Sequence, residues 1–312
     1  MSVWPVLGPY RVIESLAITE PLGVQFHDAV TDRIVSDGLV VTGYPLSQPR
    51  KRISAVAGRS GVFSFAKLPG LREFENGHGN ETFWNSPVAQ PRLRWVVEVV
   101  DAERRFLPFR FEVAIPHRRV YMGDDLSVGS PPEVRGVPLF SSPSRAVPSS
   151  RAVLRAELRK WPPPAEKPKK AAAWAVLEAR FGGSLLARGV ADEEGRVTLI
   201  FAWPELPHAL SGGSGSPPHG SALRQQAWTI QLRAFYQSLT AQSPLPDVVP
   251  ALLDLGDVLA QSPEAILWTS TAADTPLTDA QLHFGEELIV SSFDQENGQK
   301  IPLLISPVGS PP

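Results

Sequence analysis

Six histidines, His27, His78, His117, His208, His219 and His283, are the residues of this chain best suited to acid–base chemistry or metal ligation. No two of them stand four apart, as ligands on a helix face would, or two apart, as on one side of a strand. Cysteine is absent, which removes disulfides, thiolate metal sites and a cysteine nucleophile. Asp124-Asp125 and Asp192-Glu193-Glu194 are acidic turns without the oxygen-ligand spacing of a calcium loop. Serines are plentiful, yet none stands in a Gly-x-Ser-x-Gly elbow. The glycine-rich run Gly212-Gly213-Ser214-Gly215 lacks the Lys-Ser/Thr pair that would make it a phosphate loop. The expectation is therefore a chain with no catalytic, cofactor-binding or metal site, and not an enzyme.

Binding chemistry is the remaining option. Most of the eight tryptophans stand inside strand-like patterns, where a packing role is the default. Trp84 and Trp161 fall in loops and are the candidate ligand-binding residues for a glycan or other surface. A formal net charge of −2 supplies no field to draw in nucleic acid. No stretch reaches the ~20 apolar residues of a membrane-spanning helix. The run Met1 to Pro9 has neither a basic start nor an apolar core, so synthesis in the cytoplasm without a signal peptide is expected.

The elements that would position any site are mainly β. Proline, 32 of 312 residues, fixes φ and removes a backbone donor, which favours short strands and extended connectors over long helices. Period-two patterns bounded by Gly, Asp and Pro predict strands over 23–28, 38–45, 53–57, 62–65, 93–100 and 106–115. Phe63 and Phe65 share one face and are expected in a common core. Residues 73–90 form a predicted surface insertion. A second series of strands is expected over 152–158, 173–179, 185–191, 196–201 and 228–236, the last from the alternation of Trp228, Ile230, Leu232 and Tyr236. Residues 250–261 carry the one helical pattern, with Pro250 at its start and Leu252, Leu253, Leu255, Val258 and Leu259 on a stripe. A hairpin over 287–305 with an Asn297-Gly298 turn is expected to close the chain.

Residues 122–150 are rich in proline and serine and read as a connector between a first domain, 1–121, and a second, 151–312. Within the connector Val137, Leu139 and Phe140 are too apolar for a solvated linker; they are the candidate protein-binding residues, set to dock on the chain's own domains or on a partner. The two domains also parallel each other. Arg52 to Val56 followed by Gly61-Val62-Phe63-Ser64-Phe65 matches Arg188 to Ala191 followed by Gly195-Arg196-Val197-Thr198-Leu199, as in a duplicated unit.

Phe26 to Asp32, Gly38 to Val41 and Ser60 to Phe65 together resemble the carboxypeptidase regulatory-like, or transthyretin-like, β-sandwich, over about residues 20–115. That resemblance implies Ig-like or transthyretin-like sandwiches and a non-catalytic accessory role. Leu68-Pro69-Gly70-Leu71, Phe106-Leu107-Pro108-Phe109, Val137 to Ser141 and Ala173 to Ala179 are similar to segments of proteins encoded with phage-tail-like contractile injection systems. The implied function is a structural or adaptor subunit of such a particle, released or membrane-attached, partnered by other protein subunits or by further copies of itself. A glycan- or surface-binding module is the alternative. Fold alone decides neither.

Overall fold

The computed structural model describes residues 20–69, 71, 93–117, 119–123, 136–161, 170–204, 226–241, 251–272 and 274–307. It is mainly β, with several sheets and, among these residues, one short α-helix. In the first half the strands are β1 (Leu22–Asp28), β2 (Leu39–Pro45), β3 (Ile53–Ser54), β4 (Val56–Ala57), β5 (Val62–Phe65), β6 (Leu93–Asp101), β7 (Phe109–Ile115), β8 (Val120–Tyr121) and β9 (Val137–Leu139). One sheet runs β4-β5-β1-β8, with β9 also on β1; the other runs β3-β2-β6-β7. Phe63 and Phe65 are buried as their alternation predicts, against Val24, Phe26, Trp95, Val97 and Phe111. The Phe26 and Phe63 rings meet edge to face at 5.4 Å.

The second half contains β10 (Arg151–Lys160), β11 (Val176–Phe181), β12 (Ser184–Val190), β13 (Arg196–Ala202), β14 (Ala227–Phe235), helix α1 (Leu255–Leu259), β15 (Glu264–Trp268), β16 (Asp279–His283), β17 (Leu288–Val290), β18 (Ser292–Phe293), β19 (Lys300–Ile301) and β20 (Leu303–Ser306). One large sheet runs β12-β11-β14-β15-β20-β10-β13, with β16 on β14 and β17 on β10. It curls into a half-barrel. The end strands come so close that a Cβ on Gly189 of β12 would lie 3.1 Å from Val197 of β13. Trp228, Ile230 and Leu232 of β14 are buried on its inner face, as their period of two predicts.

Two expected elements are corrected. Of the helix predicted over 250–261, the described residues 251–261 are helical only over Leu255–Leu259, with Asp254 as N-cap accepting from Gly256 N–H at 2.9 Å. Leu253 is instead held in line with β7, its carbonyl accepting from Arg110 N–H at 2.9 Å. The closing hairpin shrinks to β18 and β19 around the Asn297-Gly298 turn. Its intended arms, β17 and β20, both run parallel to β10. Ser292 fastens this arrangement: its hydroxyl donates to Trp268 O at 2.6 Å and accepts from Leu304 N–H at 2.9 Å.

The halves repeat one pairing scheme. β1 is antiparallel to β5 and parallel to β8 and β9; β10 is antiparallel to β13 and parallel to β17 and β20. The register agrees residue by residue. Leu22 faces Phe65 as Leu154 faces Leu199; Val24 faces Tyr121 as Ala156 faces Val290; Phe26 faces Val137 as Leu158 faces Leu303. The return of the chain matches as well: Val35 N–H donates to Phe26 O at 3.0 Å, and Ala172 N–H to Leu158 O at 3.0 Å.

The cores are not separate. Trp174, Val176 and Val190, with Leu253, Leu255 and Val258, belong to the buried cluster of the first half. Trp174 reaches it from a left-handed backbone, φ 67°, that is costly for a bulky residue. Its carbonyl accepts from the buried Gln261 amide at 2.8 Å, and Gln261 Oε1 accepts from Gln237 N–H at 2.7 Å.

Candidate functional site

Val137, Leu139 and Phe140 lie in β9 and just beyond it. Val137 and Leu139 are fully buried and Phe140 nearly so. Val137 faces Phe26 and Leu139 faces Asp28, while Leu107 N–H donates to Phe140 O at 2.9 Å. Of the two docking surfaces that the sequence leaves open for this segment, the structure shows the chain's own. Burying each of the larger side chains yields about 1.5–3 kcal/mol, which an extended strand on β1 secures without a partner. Gly136 leads in with φ 146°, and a Cβ there would sit 2.6 Å from Gln25 O.

A buried ion pair clamps this segment. Arg145 donates to both oxygens of Asp28, at 2.8 and 2.5 Å, and to Ser141 Oγ at 2.9 Å. Asp28 also accepts from Val30 N–H and from the Thr31 hydroxyl. Burial by itself would raise the Asp28 carboxyl; these bonds outweigh it and hold the group below the usual carboxylate range. Burial pushes the neighbouring His27 imidazole below its ordinary value, opposed by the Gly136 backbone and by Asp32 and Asp28.

The other residues with chemistry are scattered. His117 follows β7 with Nδ1 2.7 Å from Arg119 O, and His283 ends β16. His78, His208, His219, Asp124, Asp125, Trp84 and the 211–216 loop lie outside the described residues. Among the described residues no group of three His, Asp or Glu side chains is placed to hold a metal ion. Asp192 caps its own turn, accepting from Glu194 and Arg196 N–H groups at 3.0 and 2.8 Å. Trp161 is half-buried: its indole N–H donates to Thr271 O at 3.2 Å and its ring meets Trp268 at 5.9 Å. That leaves it poorly disposed as an open stacking platform. A further aromatic group joins Trp203, Trp228 and Phe284, with Trp203 and Phe284 4.9 Å apart.

Two surface features remain. A groove of about 480 Å³ lies over β10 and β13, beside Ile289 and Pro143. Its charges are matched internally: Arg155 donates to Pro143 O and Thr198 Oγ1 and pairs with Glu287, and Arg196 pairs with Asp192. The second feature is the stretch from β3 to β4. It is the edge of both sheets of the first half at once, β3 lying on β2 and β4 on β5. Residues 56–60 are all exposed, Val56 at 71 %. Behind them Arg52 pairs with the buried Glu98, which also accepts from Tyr44 OH at 2.9 Å. Burial, with Glu98 beside it, pushes the Tyr44 hydroxyl up to about 12, so it stays a donor. This anchors the edge from within.

The chain has no match. That holds for protein-family models, for curated proteins and for solved structures alike. The β3–β4 edge carries no sequence motif. Its signal was the polar, turn-flanked run Arg50 to Gly61, in which Val56 is the only large apolar residue left outward.

Proposed function

We propose that the chain is a non-catalytic structural or adaptor subunit of a large protein assembly, of the phage-tail-like contractile kind that its sequence resembles. On this reading the first half is a transthyretin-like sandwich, the second half a curled variant that keeps its pairing scheme, and other protein subunits are its partners. One observation carries the proposal: an exposed, outward-facing strand edge is mounted on a block whose halves share a core through Trp174 and α1. Such a block presents a docking edge without reorganising, which limits the entropy lost on association. Open sheet edges are also the places where proteins accept strands from partners.

The test is made in cells of the species that encodes the chain. An affinity-tagged full-length chain is followed through density-gradient sedimentation and mild cross-linking. Co-migration with a large particle, at a fixed ratio to its other subunits, is the expected outcome. A tagged chain found only at its monomer mass, with the particle present in the same gradient, would refute the assignment.

A further inference from the structure

We infer that the β3–β4 edge takes up an acidic, extended segment of a partner protein by strand addition, its acidic side chains matched to Arg50, Lys51, Arg59 and Lys67 and an apolar one to Val56. The inference rests on the adaptor reading and names the chemistry of the partner. From Gly38 to Arg72 the sequence has six basic residues and no acidic one, within a chain of net charge −2. Arg52 is taken by Glu98. Arg50, Lys51, Arg59 and Lys67 are exposed, and none is ion-paired among the described residues.

Their placement follows from the strands. Lys51 precedes β3, and Arg59 lies in the turn from Gly58 to Gly61, where Gly61 N–H donates to Gly58 O at 3.0 Å. At about 3.3 Å per residue this spans roughly 25 Å of extended edge. Val56 stands between them, opposite Ser64 on β5. Lys67 follows β5, which runs antiparallel to β4 and so returns toward the β3 end. A charged edge can also serve simply to block edge-to-edge pairing. That purpose needs no single sign, and the second half shows that the fold does not demand a basic one. There the matching stretch Arg188 to Ala191 leads into Asp192-Glu193-Glu194. A segment alternating acidic and apolar residues would satisfy the open backbone, the cations and Val56 together.

The experiment uses the full chain and a fluorescein-labelled peptide of about twelve residues alternating Glu and Val, followed by fluorescence anisotropy at about 50 mM salt. Saturable binding is expected. It should weaken at least about tenfold in the Lys51→Glu/Arg59→Glu variant, whose circular dichroism must match the wild type, and by a similar factor when salt is raised to about 500 mM. N-methylation of alternate peptide bonds should abolish it. Arg50→Gln/Lys67→Gln, a milder change, should weaken it about threefold. Absence of binding, equal binding to the charge-inverted variant or to the N-methylated peptide, or equal binding of a single-stranded oligonucleotide of similar charge would each overturn the proposal. So would salt-sensitive self-association lost in the same variant, which would make the occupant a second copy. The gradient experiment separates the two readings. If the wild type enters the particle and the charge-inverted chain enters equally well, this inference fails while the adaptor reading stands; if the wild type stays out, the adaptor reading fails.

Discussion

β1 and β10 hold the same place in the two halves, yet they carry different chemistry. Each is antiparallel to one strand, β5 or β13, and parallel to two short ones. On β1 the matching positions end in His27-Asp28, a buried pair clamped by Arg145. On β10 they end in Arg159-Lys160, cations at the surface of the sheet. The turn before β5 is Gly58-Arg59-Ser60-Gly61; the turn before β13 is Asp192-Glu193-Glu194-Gly195. Pairing and register are thus the shared part, set by backbone and apolar inward side chains, whereas the charged residues at matching positions have diverged in sign. Because the scaffold accepts either charge, the charge it carries at a given edge is informative about what meets that edge.

The largest effect should come from Trp174, the residue that breaks the symmetry by entering the opposite core. Trp174→Ala should cost about 3–5 kcal/mol, as a large core truncation does, and should split one cooperative denaturant transition into two. A single transition with an unchanged slope and a loss under about 1 kcal/mol would show that the halves are joined elsewhere. Phe63 and Val197 hold matching positions and offer a direct contrast. Phe63→Ala should lose about 3–5 kcal/mol and Val197→Ala about 2 kcal/mol, read from urea midpoints. Equal losses would mean that the two inner faces are not packed alike.

The matching glycines sharpen the comparison further. Gly61 and Gly195 both have a left-handed backbone, φ 78° and 80°. A Cβ at Gly61 would meet the Ile34 side chain at 2.4 Å, and one at Gly195 would meet the Leu158 carbonyl oxygen at 2.4 Å. A side chain can move aside and a paired carbonyl cannot. Gly61→Ala should therefore cost about 1–2 kcal/mol and Gly195→Ala about 3 kcal/mol. Reversal of that order in thermal melts would contradict the match.

The smallest effect is pH-dependent and confined to the first half. His27 and Asp28 both have folded-state values below their unfolded ones. Each therefore contributes stability that is complete above its unfolded value and lost as pH falls through its folded one. For His27 the loss begins below about pH 6.5, and for Asp28 below about pH 4. Hydrogen exchange should show β1 and β9 loosening on acidification before β10 and β20 do, and His27→Gln should remove the earlier phase. Simultaneous loosening in both halves would place the acid-sensitive groups elsewhere.

Much of this was legible in the sequence wherever alternation was clean. Phe63 with Phe65, and Trp228 with Ile230 and Leu232, announce their inner faces because a half-buried strand needs a period of two. The repeat from Arg52 to Phe65 and from Arg188 to Leu199 was visible for the same reason. Parallel pairing was not. β9 is three residues long with a proline at its centre, so Val137 and Leu139 look like part of a spacer, and their partner β1 stands more than a hundred positions earlier. Asn297-Gly298 marks a turn correctly, but local chemistry cannot say that β17 and β20 both leave it for β10. The left-handed backbone of Trp174 contradicts every local preference and is sustained by its burial in the first core and by the Gln261 amide on its carbonyl, both distant in sequence. The β3–β4 edge left a trace of a different kind, a long run of one charge sign, visible to charge patterning and silent in any motif search.

The sharing of Trp174, Leu253, Leu255 and Val258 with the first core has a consequence for how the chain is made. A ribosome releases β1 to β8 long before it releases these side chains, and the early segment leaves its exit tunnel with part of its interior unfilled. Domain-by-domain maturation, in which the leading module is finished before the next one emerges, is closed to this topology. Completion of the first half waits for at least residue 258, and β10 waits for β20 at the far end of the sequence. Closing such distant pairs is slow, because the long loops cost entropy before the contacts repay it.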